Sequence, residues 1–243
     1  MATDTQKNTI FAFARDEIVS PENFLLRLAE HFTSSFDWVD GGRWAAEQYI
    51  WSRIDDHDHA FVRTGPPETR TAVVVRADGA DTVIAGLTDL VVLKSTGSGF
   101  VGFPRDQYTT LAETEDRILA TSVTARWRYE GGNEGGGLDY NALYDSVRSI
   151  LLSTFARDYS KALQHTLFMM GEAVIDAHPE VAEIKFSCPN KHHFLSDLSF
   201  CGLDNPNVVF YAADRPYGLI EATIARKDAE DAAAAWSGIA GFC

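Results

Sequence analysis

Four consecutive side chains, Asn190, Lys191, His192 and His193, set an amide, an ammonium and two imidazoles side by side. They follow VAEIKF at 181–186, an apolar run of strand character, so they stand where a strand meets a pocket. Histidine titrates near neutrality, which makes His192 and His193 candidates for moving protons; the plainer alternative is a strand end with satisfied imidazoles. Arg117, in ETEDRILAT, carries a planar fork that can grip two adjacent ligand atoms, or else pairs at the surface with Glu113 or Glu115. Gln164, beside Leu163 early in a helical run, can donate and accept at once, or is a plain exposed helical amide. Phe100, in STGSGFVGF, offers a ring face to a flat ligand; the alternatives are a core phenylalanine, or Phe103 as the stacking ring.

Other patterns carry less. Asp56-His57-Asp58-His59 has metal-binding residue types but sits in a turn between strands, and a solvated turn is the better reading. Cys188, Cys201 and Cys243 lack the paired spacing of a zinc site, and Gly97-Ser98-Gly99 lacks the surroundings of a phosphate loop.

The elements that must position these groups follow from periodicity and punctuation. Residues 3–16 read as a helix with Thr3 or Asp4 at the N-cap, and 21–36 as a second, with Pro21 in its first turn. Strands are expected at 44–54, 59–63, 71–77, 82–87 and 90–96, with a turn at Asp78-Gly79, and at 117–129. EGGNEGGG at 130–137 reads as a flexible linker. Two long helices follow, about 139–157 and 160–177, the second with an apolar stripe from Leu163 to Ile175. Strands at 181–188 and 207–225 close the unit, with 193–198 a possible continuation of the former. The order is α-α-β-β, then β-β-α-α-β-β, as if one unit were repeated and its first copy lacked two leading strands. This divides the chain into 1–88, 89–226 and a tail, 227–243, whose apolar end from Trp236 to Phe242 is expected to dock on a neighbour.

Composition narrows the class. The 243 residues are 45% hydrophobic and 12% aromatic, enough for a globular core, with a formal net charge of -14 and a pI near 4.8. Such an acidic balance argues against a nucleic-acid partner, since phosphate binding needs clustered Lys and Arg. No apolar run is long enough for a membrane helix, and the first residues lack the order of a signal peptide. Three unpaired cysteines and a terminal GFC in place of SKL lead to a cytoplasmic expectation.

Taken together, SCPNKHHF at 187–194, FYAADRPYGLIEAT at 210–223, the block from Leu93 to Thr121 and ALQHTLFMMG at 162–171 resemble the urate oxidase (uricase) family. The resemblance runs from Ala2 to Cys243, in order and with sensible gaps. It implies an α+β fold of tandem tunnelling-fold units, antiparallel sheets with helices on one face, the first unit short of its leading strands. It implies oxidation of urate by O2 and water to 5-hydroxyisourate and hydrogen peroxide, with no cofactor and no metal. Arg117, Gln164, the Leu163 backbone and Leu111 would then line the substrate, with Phe100 stacked on it. Asn190 would hold oxygen or water above the purine plane, and His192 and Thr3 would belong to a proton relay. Asp4 would contribute through its backbone, and a homotetramer would bring Thr3 and Asp4 to a neighbouring chain's site. The family's relay lysine lies in a strand ahead of the point where this sequence starts, so the expectation is weak turnover and poor assembly for the sequence as it stands.

Overall fold

Ser20 shows how the helices are set. Its Oγ accepts from the Asn23 N–H at 3.1 Å and Pro21 follows in the first turn, so α2 (Pro21–Ser35) starts where the sequence says it should. Leu25, Leu28, Ala29 and Phe32 then fall on one face and are buried. In the same way Asp139 accepts from Asn141 and Ala142 and opens α3 (Tyr140–Arg157). An apolar stripe from Leu163 to Val174 defines α4 (Leu163–Ala177). The computed structural model describes residues 1–63, 68–131, 137–213 and 217–239. Part of the glycine-rich stretch (132–136), part of the 210–223 block (214–216) and residues 240–243 of the tail lie outside them.

The helices α2, α3 and α4 cover one face of a six-stranded sheet in which every neighbouring pair is antiparallel. Its order is β1 (Gly42–Gln48), β4 (Thr69–Ala77), β5 (Ala80–Lys94), β6 (Leu119–Tyr129), β7 (Val181–Pro189) and β10 (Leu219–Ala225). Alternation dictates the face: Val123, Ala125, Trp127 and Tyr129 on β6, and Ile184, Phe186 and Cys188 on β7, point to the helices. Each such fully buried large side chain contributes about 1.5–3 kcal/mol. Gly171 lets α4 lie close on β10, since a Cβ there would meet Ile224 at 2.7 Å.

One corner of this core is polar. Arg70 on β4 donates to Glu22 on α2 at 2.8 Å, to Asn141 at 2.7 Å and to the Tyr140 carbonyl at 3.1 Å on α3, and lies over the Tyr144 ring. It thereby ties two helices to the sheet.

The opposite face carries a small cluster in which Ala235 and Trp236 of α5 (Ala233–Trp236), with Ile239, pack on Val73 and Ile84. Arg43 of β1 donates to the carbonyls of Ala235 (3.1 Å) and Ser237, and the Trp236 indole donates to Glu183 at 2.8 Å. The described part of the tail therefore docks on the chain's own sheet, a correction to the expectation of a neighbour.

Other boundaries also move. The helix α1 (Thr3–Asp16) has Ala2 as its N-cap, so Thr3 and Asp4 are its first helical residues and not its cap. The strand expected over 44–54 stops at Gln48, and a separate ribbon forms from β2 (Ser52–Arg53) and β3 (Phe61–Val62). The Asp56–His59 tract is the exposed loop of that ribbon, with Asp55 and Asp56 at positive φ. The two strands expected over 82–96 are one, β5, because a bulge between Leu87 and Leu90, with Asp89 at φ 59, bends it without ending it. The division read at 88/89 falls on that bulge. Residues 207–225 split into β9 (Phe210–Ala212) and β10, and β9 pairs with β8 (His193–Leu195) in a second ribbon. The segment at 193–198 thus leaves the main sheet and does not extend β7. No helix among the described residues is long and apolar enough to cross a membrane.

Candidate active site

The candidate residues converge at the end of the sheet where β5 leaves, β6 begins, α3 turns into α4 and β7 stops. Backbone bonds lace these segments together. The Gly99 N–H donates to the Ser160 carbonyl at 2.8 Å, and the Ser160 N–H returns to Gly97 at 2.9 Å. The Phe100 N–H donates to Thr114 at 2.7 Å, and the Arg117 N–H to Ser98 at 2.7 Å. Ser98 and Ser160 are buried and adjacent, and the Thr166 hydroxyl donates to the Ser160 Oγ at 2.6 Å. Arg117 is therefore one junction away from the first turn of α4, where Leu163 and Gln164 sit.

Within this frame the guanidinium of Arg117 lies over the Phe100 ring, 5.0 Å from its centroid. Phe100 and Phe103 are themselves stacked at 4.9 Å, so the two alternatives for a stacking ring form one pair, with Phe100 the member beside the cation. The Nε of Arg117 is buried without a hydrogen-bond partner. No ion pair among the described residues joins it to Glu113 or Glu115; the Glu113 carboxylate accepts from the Gly102 N–H. Burial pushes the guanidinium pKa down, with Tyr159 opposing that in part. A half-buried cation of this kind is poised for an anion.

Across the junction, α4 begins at Leu163 with Ala162 as N-cap and no side chain capping its N–H groups. Those donors, at the positive end of a 15-residue helix, suit an electron-rich ligand edge. The Leu163 side chain is in the core, which leaves its backbone for binding, while the Gln164 side chain is exposed.

The third side is the end of β7. The Asn190 N–H donates to Gly218 at 2.8 Å and the Lys191 N–H to Ala120 at 2.9 Å, while the Thr121 hydroxyl donates to the Pro189 carbonyl at 2.8 Å. These bonds hold Asn190 and His192 between β6 and β10. The His192 pKa lies below its ordinary value, first from burial, then from Arg117 and His193. His193 turns away, its Nδ1 3.1 Å from the Lys191 carbonyl.

A Uricase family model matches residues 1–75 and 83–221. The chain is 60% identical to the uricase of Arthrobacter globiformis over 243 residues, all of this chain and 79% of that one. The chain belongs to the uricase family. It is 37% identical to the uricase of Dictyostelium discoideum over 232 residues, 93% of this chain and 79% of that protein. The crystal structure of the Arthrobacter globiformis uricase superposes with a TM-score of 0.92, at 60% identity, covering 98% of this chain and 81% of that one. A Bacillus fastidious uricase structure superposes at 0.75, with 26% identity over 94% of this chain and 75% of that one. The α+β tunnelling fold read from the sequence is thus the fold this uricase-family chain shares with its relatives.

Three of the sequence candidates stand outside the cluster. Thr3 and Asp4 are exposed at the start of α1, where Asp4 accepts from Asn8 at 2.9 Å and pairs with Lys7 at 3.8 Å. Leu111 is 54% exposed in the loop before Arg117. No hydrogen bond or ring contact among the described residues joins these three to Arg117, Asn190 or His192. Conversely, Ser98, Thr121, Tyr159 and Ser160 build the site and were not singled out from sequence. The doublet of glycines around Ser98 was the available signal, since close backbone approach favours glycine.

Proposed function

We propose that the protein oxidises urate with O2 and water, giving 5-hydroxyisourate and hydrogen peroxide. The observation that carries the reading is Arg117: a half-buried guanidinium without a carboxylate partner among the described residues, set over Phe100 and lowering the pKa of His192, in a chain of the uricase family. Urate is flat and anionic, with carbonyl and N–H groups around its rim. Arg117 would hold two adjacent atoms of one edge, and Gln164 with the backbone of Leu163 the opposite edge. Phe100 would stack on the ring, worth about 0.5–1.5 kcal/mol beyond area burial.

His192, kept neutral by burial and by Arg117, would accept a proton as the substrate becomes electron-rich enough to reduce dioxygen directly. Asn190 would hold oxygen, and afterwards water, above the purine plane. Urate loses two electrons and two protons to O2, which leaves as hydrogen peroxide; water then adds its hydroxyl to C5 of the oxidised purine. The electrons come from the substrate itself, so the reading calls for no metal or flavin. Thr3 and Asp4 would join the site from a second copy within a homotetramer, with Leu111 closing on the purine from its loop.

Loss of urate absorbance measured together with oxygen uptake tests this. It should be run on the chain as it stands and on a chimera carrying the part of the Arthrobacter globiformis relative that the match leaves uncovered. Equimolar urate loss, oxygen uptake and peroxide in either form supports the reading; no urate loss in both overturns it.

A further inference from the structure

We propose that Tyr159 is a positioning residue for urate binding: its hydroxyl fixes the segment that carries Arg117 against the corner that leads into α4, and so sets the span between the two gripping edges. The inference rests on the reading of the site as a urate site.

Tyr159 is the residue before Ser160, at the corner between α3 and α4. Its hydroxyl donates to the carbonyl of Glu115 at 2.8 Å, 44 positions away and two residues before Arg117. The ring is 49% exposed, so packing does not account for its placement; the hydroxyl contact does. The hydroxyl also lies directly over Gly99. A Cβ built on Gly99 would stand 2.3 Å from the Tyr159 Oη, 3.0 Å from the Glu115 carbonyl and 3.1 Å from that of Thr114. Only a residue without a side chain lets the tyrosine reach its acceptor there.

Three links therefore join at one point. Arg117 is tied through its N–H to Ser98, Gly99 is tied to Ser160, and Ser160 is tied through its hydroxyl network to the first turn of α4. Tyr159 adds a fourth link by fastening Glu115 to the α3–α4 corner. Without that bond the Glu115 carbonyl loses its partner on the α3–α4 corner, and the 114–117 segment keeps its attachments to 96, 97, 98 and 100, none of which lies on that corner.

Tyr159→Phe removes the hydroxyl and keeps the ring. The expected result is a rise of about fivefold in KM for urate, the loss of one hydrogen bond's worth of positioning, with kcat within twofold and the melting temperature unchanged. Anaerobic calorimetric titration with urate should weaken by the same factor. Gly99→Ala, which pushes the hydroxyl off its acceptor, should raise KM as much or more. Adding Tyr159→Phe to it should then cost nothing further. An unchanged KM in Tyr159→Phe overturns the inference, as does a fall in kcat or melting temperature with KM constant. If wild-type protein neither binds nor consumes urate, the functional reading fails first, and this inference with it. The wild-type arm alone reveals that case.

Discussion

One arginine of this molecule is buried and another half-buried, and their surroundings differ in kind. Arg70 is 5% exposed and meets Glu22, itself 0% exposed, along with Asn141, a backbone carbonyl and the Tyr144 ring. Arg117 is half-buried over Phe100, with its Nε unpartnered and no ion pair to a carboxylate among the described residues. The first has its charge matched inside the chain by Glu22, although its own Nε and the Glu22 Oε1 are also without a hydrogen-bond partner among the described residues, and so is architecture. The second carries an uncompensated desolvation cost, which an anion from outside would offset. The presence or absence of an internal carboxylate separates a structural cation from a binding one.

The comparison breaks most sharply at Arg70. Arg70→Met should destabilise the fold by about 3–5 kcal/mol, because it strands Glu22 in the core, and thermal or urea unfolding would register it. Burial already holds the Glu22 pKa above its ordinary value despite Arg70, and losing the arginine raises it further. A raised folded pKa means the stability of this group is present below its unfolded pKa and lost as pH rises. The defect in Arg70→Met should therefore shrink on acidification toward the folded pKa and be full at pH 7.

Arg117→Gln should do the reverse. A drop of about thirtyfold in kcat/KM for urate corresponds to the roughly 2 kcal/mol of a lost charge-assisted bond. The melting temperature should hold or rise, since an unpaired half-buried cation has gone. A fall in stability comparable to that of Arg70→Met would erase the distinction between the two sites.

Smaller is the pH effect. His192 titrates below its ordinary value of 6.5, so it is neutral at pH 7 and binds its proton only on further acidification. Turnover should be flat through pH 7 and fall on an acid limb centred below 6.5; in Arg117→Gln that limb should move up, because a nearby positive charge is gone. Smallest is Phe103→Leu. It removes a ring that supports Phe100 but is not the one beside the cation, and should change kcat/KM by less than threefold, where Phe100→Leu costs more.

The same contrast explains what could be read in advance. The helices were legible because Pro21 marks one start and their apolar residues repeat at helical spacing; the caps were not, since Ser20 and Asp139 show themselves only in the fold and Ala2 stands where Thr3 or Asp4 was expected. Strand ends were less so. Asp89 adopts a left-handed conformation that turns an apparent break into a bulge, and nothing local separates β9 from β10 beyond turn residues. Arg117, Phe100 and Asn190 were legible only through family resemblance, since an arginine among glutamates reads as a surface pair. That the Glu113 carboxylate takes the Gly102 N–H, and that neither glutamate forms an ion pair with Arg117 among the described residues, is a fact of the folded loop. Tyr159 could not be seen, because its acceptor lies 44 residues away in sequence and its meaning lies in that contact.

The cluster on the far face of the sheet bears on how the molecule is made. Arg43 on β1 is fastened to carbonyls 192 and 194 positions later in the chain, and Val73 and Ile84 wait for Trp236 and Ile239 to cover them. During synthesis at about 5–20 residues per second, β1 and β4 emerge well before the residues that clasp them. For that interval a sheet edge and an apolar patch stand open. The acidic balance of the chain, net -14, opposes association of copies through such a patch by self-repulsion.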